Sequence, residues 1–236
     1  MEEIQKLKNA LKPGRDTRLL NEWERIDEAC SESDIVSYAV HKFNASGLPV
    51  IYDITFNIKS ITGVEKADSM GLERPVFGDK HILRISIPNN YPANDGGFPE
   101  FKFITDVWHP NVRYFGDFKG RVCLNLNDCG TSVYLTEHIA TIAGYLRYTE
   151  YHARDEHPFP EDQTVAKWVL EQAEPLGWLN TAKPCHCGLD PQSHEQPCHC
   201  GLDPQSYEVQ VKVSHEIAGL RFASPAMTTT FQDNTI

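Results

Sequence analysis

One stretch of this chain cannot contribute to a hydrophobic core, and its position decides where a fold can form. Residues 184–193 read Pro-Cys-His-Cys-Gly-Leu-Asp-Pro-Gln-Ser, and the same ten residues return at 197–206, a period of 13. Solenoid repeats run about 20 to 50 residues, and each stacks an apolar face on its neighbour. This unit holds one leucine and no apolar period, so it builds no core. The expectation is an inserted, disordered loop over 184–206, with the folded body before it and a tail at 207–236 that carries one strand-like alternation at 207–213. A competing reading is metal. The two Cys-His-Cys units supply four thiols and two imidazoles, sufficient for one tetrahedral zinc. Their single-residue spacer is tighter than the usual spacing of about two to four, and Pro191 and Pro204 stiffen the flanks. No metal is therefore assigned.

The remainder is rich enough to fold. The chain is 40% hydrophobic and 10% aromatic, the makeup of a globular protein with a buried interior. Leu19, Trp23, Ile26 and Cys30 fall on one face of an amphipathic helix over 16–30, and Pro13-Gly14 separates it from an N-terminal extension, 1–15. Strand-like runs follow at 35–43, 50–58, 81–87 and 100–105, with period-2 alternation clearest in Ile54-Thr55-Phe56-Asn57-Ile58. Gly63, Gly71, Pro75 and Gly78 mark 60–80 as a long excursion between strands. After residue 130 the helical period returns. Thr136 is the expected N-cap of a helix with Ile139, Ile142, Ala143 and Leu146 on one face, and Pro160-Glu161-Asp162 opens another bearing Val165, Val169 and Ala173. This order is an α+β domain over 16–180: a four-stranded antiparallel meander with an N-terminal helix and C-terminal helices.

Charge and cysteine usage exclude several classes. Lys plus Arg is 22 against 33 Asp plus Glu, a net charge of −11, whereas binding to nucleic acid needs clustered cations that displace counterions. No apolar run approaches the roughly 20 residues that span a bilayer. The acidic start Met1-Glu2-Glu3-Ile4 lacks the basic residues of a secretory signal. The expectation is a cytoplasmic chain with no nucleic-acid or membrane partner, in which Cys30, Cys123 and Cys129 are free thiols.

Chemistry concentrates in 87–126. Tyr91-Pro92 is followed by Pro99, by Phe101-Lys102-Phe103-Ile104-Thr105, by His109-Pro110-Asn111, and by Gly120-Arg121-Val122-Cys123-Leu124. His-Pro-Asn alone is a weak signal; in this ordered series it is specific. The series resembles the core of the ubiquitin-conjugating enzyme family, and element order extends the resemblance to about 16–175. It departs from the family in the longer gap between Asn111 and Cys123, with Tyr114-Phe115-Gly116-Asp117-Phe118-Lys119 as the excess, in the missing tryptophan after the cysteine, and in a looser proline cluster at 94–99. These departures, with identical decapeptides like the translated mobile repeats of some bacterial genes, imply a divergent bacterial member.

The resemblance implies an acyl carrier. Cys123 would hold the C-terminus of a ubiquitin-like protein as a thioester, received from an activating enzyme and passed to a lysine or other amine. A thiolate suits this work because it both attacks and leaves. Asn111 would donate its amide to the tetrahedral oxyanion or brace the loop around the site. His109 and Pro110 would support the site, with His109 a buried hydrogen bonder and not the base. Asp155, with Glu156 as the other candidate, would help orient the incoming amine. Arg121 lies close enough in sequence to favour the thiolate, and the place of helix 16–30 in the fold would allow it to engage the activating enzyme, a question the sequence leaves open. No cofactor or metal is implied, since the activating enzyme consumes the ATP. Similar bacterial proteins belong to ubiquitin-like conjugation pathways of anti-phage defence. The alternative is a non-catalytic module of the same fold that docks a ubiquitin-like protein or its activating enzyme.

Overall fold

A computed structural model describes residue 4 and residues 14–92, 97–124 and 133–179. The repeat, the strand expected at 207–213 and Cys129 lie outside the described residues, as does nearly all of the extension.

The first helix, α1 (Arg15–Ser31), buries Leu19, Leu20, Trp23 and Ile26 on the stripe that its apolar spacing dictates. Four strands follow in one antiparallel sheet, β1 (Val36–Phe43), β2 (Pro49–Phe56), β5 (His81–Ser86) and β6 (Glu100–Phe103), ordered β1-β2-β5-β6. Alternation converts directly into packing. Tyr52 pairs with Ile85 and Ile85 with Phe101; Ile54 pairs with Leu83 and Leu83 with Phe103. All six are buried, forming two cross-strand rows on one face of the sheet. α1 packs against β1 and β2.

The excursion at 60–80 is not wholly irregular. It contains a two-stranded hairpin, β3 (Ser60–Val64) and β4 (Pro75–Gly78), set between β2 and β5. A second helix, α2 (Leu135–Leu146), begins before the expected cap: Tyr134, not Thr136, is its N-cap. Glu137 accepts a hydrogen bond from the Tyr134 N–H at 3.4 Å. The Leu135 N–H donates to Glu22 of α1 at 2.9 Å, so a distant side chain satisfies one of the free donors of the first turn. The last helix, α3 (Gln163–Trp168), continues as a π-helical turn, Val169–Ala173. Asp162 caps α3, accepting from the Thr164 and Val165 N–H groups at 3.0 and 3.2 Å. Trp168 and Trp108 meet edge to face beneath α3 at 5.9 Å.

The architecture is thus α+β, a four-stranded antiparallel sheet with one helix before it and helices after it. Among the described residues no helix is long and apolar enough to cross a membrane.

Candidate functional site

The segment 109–124 folds back on itself, and that reversal places the candidate residues. Val112 and Val122 form an antiparallel bridge, the Cys123 N–H donates to the Asn111 carbonyl at 2.8 Å and the Arg113 N–H to the Arg121 carbonyl at 2.9 Å. Asn111 and Cys123 are consequently neighbours across a ladder, although 12 positions separate them in sequence. Val122 and Leu124 are buried whereas Arg121 and Cys123 are half-buried, as extended backbone requires when it points alternate side chains to opposite sides. Arg121 therefore shares a face with Cys123.

Gly120 makes the return possible. Its φ is +87°, and a Cβ there would lie 2.1 Å from the Phe103 carbonyl oxygen. The Phe103 N–H donates to the Gly120 carbonyl at 2.8 Å, which laces the loop to β6. The glycine three residues before the cysteine is thus a packing requirement of the sheet edge. The excess residues form the tip of this loop: Tyr114 packs edge to face on Trp108 at 4.7 Å, while Phe115 and Phe118 remain exposed.

The His-Pro-Asn turn is anchored from below. The Pro110 carbonyl accepts from the N–H groups of Glu161 and Asp162 at 2.8 and 3.0 Å, joining the turn to the start of α3. His109 is fully buried, stacked on Tyr145 at 5.0 Å, and its Nδ1 accepts the Asn111 N–H at 3.1 Å. Burial pushes the His109 imidazole down to about 3, against the opposing pull of the Glu150 backbone, so the ring is neutral at physiological pH. The Asn111 carboxamide is also buried. Its Oδ1 accepts from the His152 N–H at 2.9 Å, and its Nδ2 lies 2.9 Å from His152 Nδ1.

Around the thiol is a groove of about 280 Å³ lined by Phe98, Pro99, Phe101, Arg121, Cys123 and Glu161. Glu161 is the site residue that sequence reasoning missed. Its Oε1 accepts from Arg121 at 2.6 Å and from Arg113 at 3.2 Å. The thiol of Cys123 is pushed up by burial and by the Glu161 charge, with Arg121 opposing. Asp155 and Glu156 sit exposed in the 151–158 loop and do not line this groove. Among the described residues no group of three or more His, Cys, Asp or Glu side chains is placed to hold a metal ion.

The electrostatic balance makes an expectation for Glu161→Gln. Removing its charge lowers the thiol pKa and leaves Arg121 free to favour the thiolate. Alkylation of Cys123 by iodoacetamide at pH 7.5, followed by mass spectrometry of its peptide, should speed up roughly three- to tenfold. In the parent chain the rate should climb with pH throughout the range from neutral to pH 9. An equal or slower rate in the variant would mean that Glu161 does not act on the thiol.

No protein-family model matches this chain. A 54-residue segment, 23% of the chain, is 37% identical to ubiquitin-conjugating enzyme E2-22 kDa of Drosophila melanogaster and to ubiquitin-conjugating enzyme E2 K of Homo sapiens. A 55-residue segment is 36% identical to ubiquitin-conjugating enzyme E2 T of Danio rerio. The match spans about a quarter of the length of these relatives, 24 to 25%. The similarity thus joins one segment of this chain to ubiquitin-conjugating enzymes.

Proposed function

We propose that the chain is an acyltransferase of the ubiquitin-conjugating type, with a catalytic body at 16–180 followed by an inserted repeat and a tail. The Cys123 thiolate attacks the thioester carbonyl of a ubiquitin-like protein held on an activating enzyme. The new carbon–sulfur bond forms at Cys123, the old one breaks, and the activating enzyme's thiol leaves. An amine nitrogen, typically of lysine, then adds to the Cys123 thioester. The tetrahedral oxyanion collapses, the Cys123 carbon–sulfur bond breaks, an amide forms and the amine proton passes to solvent or a nearby base. Asn111 supplies a neutral amide donor to the oxyanion, worth on the order of 10²–10³ in rate. His109 and Pro110 hold that asparagine in place, and Asp155 is the acid proposed to meet the amine.

The observation that carries this reading is the main-chain pairing of Cys123 with Asn111 across one ladder, with the Cys123 thiol at an open groove, within an ordered motif series similar to ubiquitin-conjugating enzymes. No organic cofactor enters either step. The setting proposed is a bacterial ubiquitin-like conjugation pathway of the anti-phage kind, acting in the cytoplasm.

One observation favours a second reading. A thiol held up by burial and by Glu161 suits a module that docks partners without acyl transfer. Incubation with an activating enzyme, ATP and the ubiquitin-like protein separates the two. The enzyme gives an adduct cleaved by excess thiol and lost in Cys123→Ala, and Cys123→Ser gives a thiol-resistant ester. Binding of both partners with no adduct would establish the docking module.

A further inference from the structure

We propose that His152 is a positioning residue for Asn111, with its neutral imidazole fixing the carboxamide and its protonation releasing it. This inference rests on the reading of Asn111 as the oxyanion donor. The orientation of the Asn111 side chain is set by its main-chain neighbour. A backbone N–H can only donate, so the Asn111 atom 2.9 Å from the His152 nitrogen is Oδ1. The other end, Nδ2, is then the atom 2.9 Å from the His152 ring. A carboxamide nitrogen only donates, so His152 Nδ1 accepts and the ring carries its single hydrogen on Nε2. One Nδ2–H is thereby committed to the ring.

A second proton on the ring places two donors against each other at 2.9 Å. Flipping the carboxamide does not relieve this, because Nδ2 would then face the His152 N–H. Asn111 is 1% exposed, so water cannot take over either bond. The carboxamide must leave the position that both bonds define.

His152 lies between two grooves, and the groups facing it come from four directions. Buried His109 precedes Asn111, and Glu137, His138 and Tyr145 come from α2. Its own loop supplies Glu150, Tyr151, Arg154, Glu156 and His157, and the last helix supplies Glu174. His109 and His138 are pushed down by burial, to about 3 and about 4, so neither imidazole is charged near neutral pH. All of these groups persist when His152 alone is replaced. An acid limb that disappears with His152 therefore belongs to His152.

The experiment compares the parent chain with His152→Asn, His152→Phe and Asn111→Ala. Each is loaded with the ubiquitin-like protein at neutral pH, then moved to a series of lower pH values with excess lysine. Discharge is expressed as the ratio of parent to His152→Asn at each pH, which cancels titration of the acceptor amine. Asparagine offers a carbonyl near the Nδ1 position and does not titrate. His152→Asn should discharge within about twofold of the parent at neutral pH, and the ratio should fall on acidification toward that of Asn111→Ala. His152→Phe should be slow at every pH, by on the order of 10- to 100-fold. A flat ratio, or parent-like discharge by His152→Phe, overturns the proposal. Failure of every variant to form a thioester defeats the catalytic reading instead, and a measurement on the unloaded protein then decides. The side-chain amide resonances of Asn111 should shift with the ring protonation of His152 in an NMR titration and stay fixed in His152→Asn. Amide resonances that ignore His152 protonation overturn the proposal whatever the reaction does.

Discussion

Gly120→Ala is expected to destabilise the fold by roughly 2 to 5 kcal/mol, the sum of a left-handed backbone strain of about 1–2 and an overpacking cost of about 1–3. Gly120 has φ +87°, and the added methyl carbon would meet the Phe103 carbonyl oxygen at 2.1 Å, a backbone atom that no rotamer change can move. Relief requires the loop to lift from β6, which breaks the 2.8 Å bond from the Phe103 N–H to the Gly120 carbonyl. Cys123 lies three residues further on and would move with it. Gly116→Ala is the matched control, since Gly116 also has a positive φ, +77°, but a methyl group there would meet nothing within 4 Å. That variant should lose only about 1–2 kcal/mol. Thermal denaturation should place the Gly120 variant roughly 10 °C below the parent. Equal losses in the two variants would mean that the contact with β6 carries no weight.

The strands of the sheet could be read from the sequence because their faces differ. Ile54 and Phe56 point inward and Thr55 outward, and the same alternation at Leu83 and Ile85 marks the paired strand. The β3–β4 hairpin escaped because its strands are five and four residues long and β4 buries no residue. A strand without a buried face leaves no period-2 signal. The start of α2 was misplaced for a different reason. Local sequence nominates Thr136 as the cap, but the Leu135 N–H is satisfied by Glu22, 113 positions away. A first-turn donor satisfied from another helix has no local signature.

The site divides along the same line. Cys123 and Asn111 stand out because they belong to an ordered series of short motifs. Glu161 did not, since Pro160-Glu161-Asp162 reads as an ordinary helix start, with Asp162 as cap. Its link to the thiol groove depends on Arg113 and Arg121, 48 and 40 positions away. The two arginines flank the excess loop, and a hairpin pairing of 113 with 121 would have been the signal for a shared anion. Asp155 was nominated by the resemblance alone, and its side chain is exposed in the 151–158 loop, outside the groove lining. His152 was invisible beside it, because a side chain that orients another is identified by geometry and not by residue type.

Glu22→Ala should cost on the order of 3–5 kcal/mol, the usual penalty for removing one partner of a buried ion pair. Glu22 is 0% exposed at the junction of three elements. Its carboxylate accepts from Arg18 Nε at 2.7 Å, from the Tyr91 hydroxyl and from the Leu135 N–H at 2.9 Å. It thereby ties α1 to the Tyr-Pro turn and to the first turn of α2, the helix whose Tyr145 stacks on His109. Alanine leaves the Leu135 donor unpaired and removes a partner from Arg18, whose side chain is only 14% exposed. Glu22→Gln keeps the shape and an acceptor and should lose less, and pH tells the two forms of the residue apart. Burial pushes the Glu22 carboxyl up, with Tyr91, Arg18 and the Leu135 N–H opposing. A carboxyl with a raised folded pKa binds its proton more tightly in the folded chain than in the unfolded one. Its contribution therefore rises as pH falls through the folded pKa and is complete below the unfolded value. Glutamine lacks that gain, so the stability difference between the parent and Glu22→Gln should shift in the parent's favour between pH 7 and pH 4. Urea denaturation of the three proteins at both pH values measures it. A pH-independent difference, or an alanine variant as stable as the parent, would remove this cluster as the joint between α1 and the site.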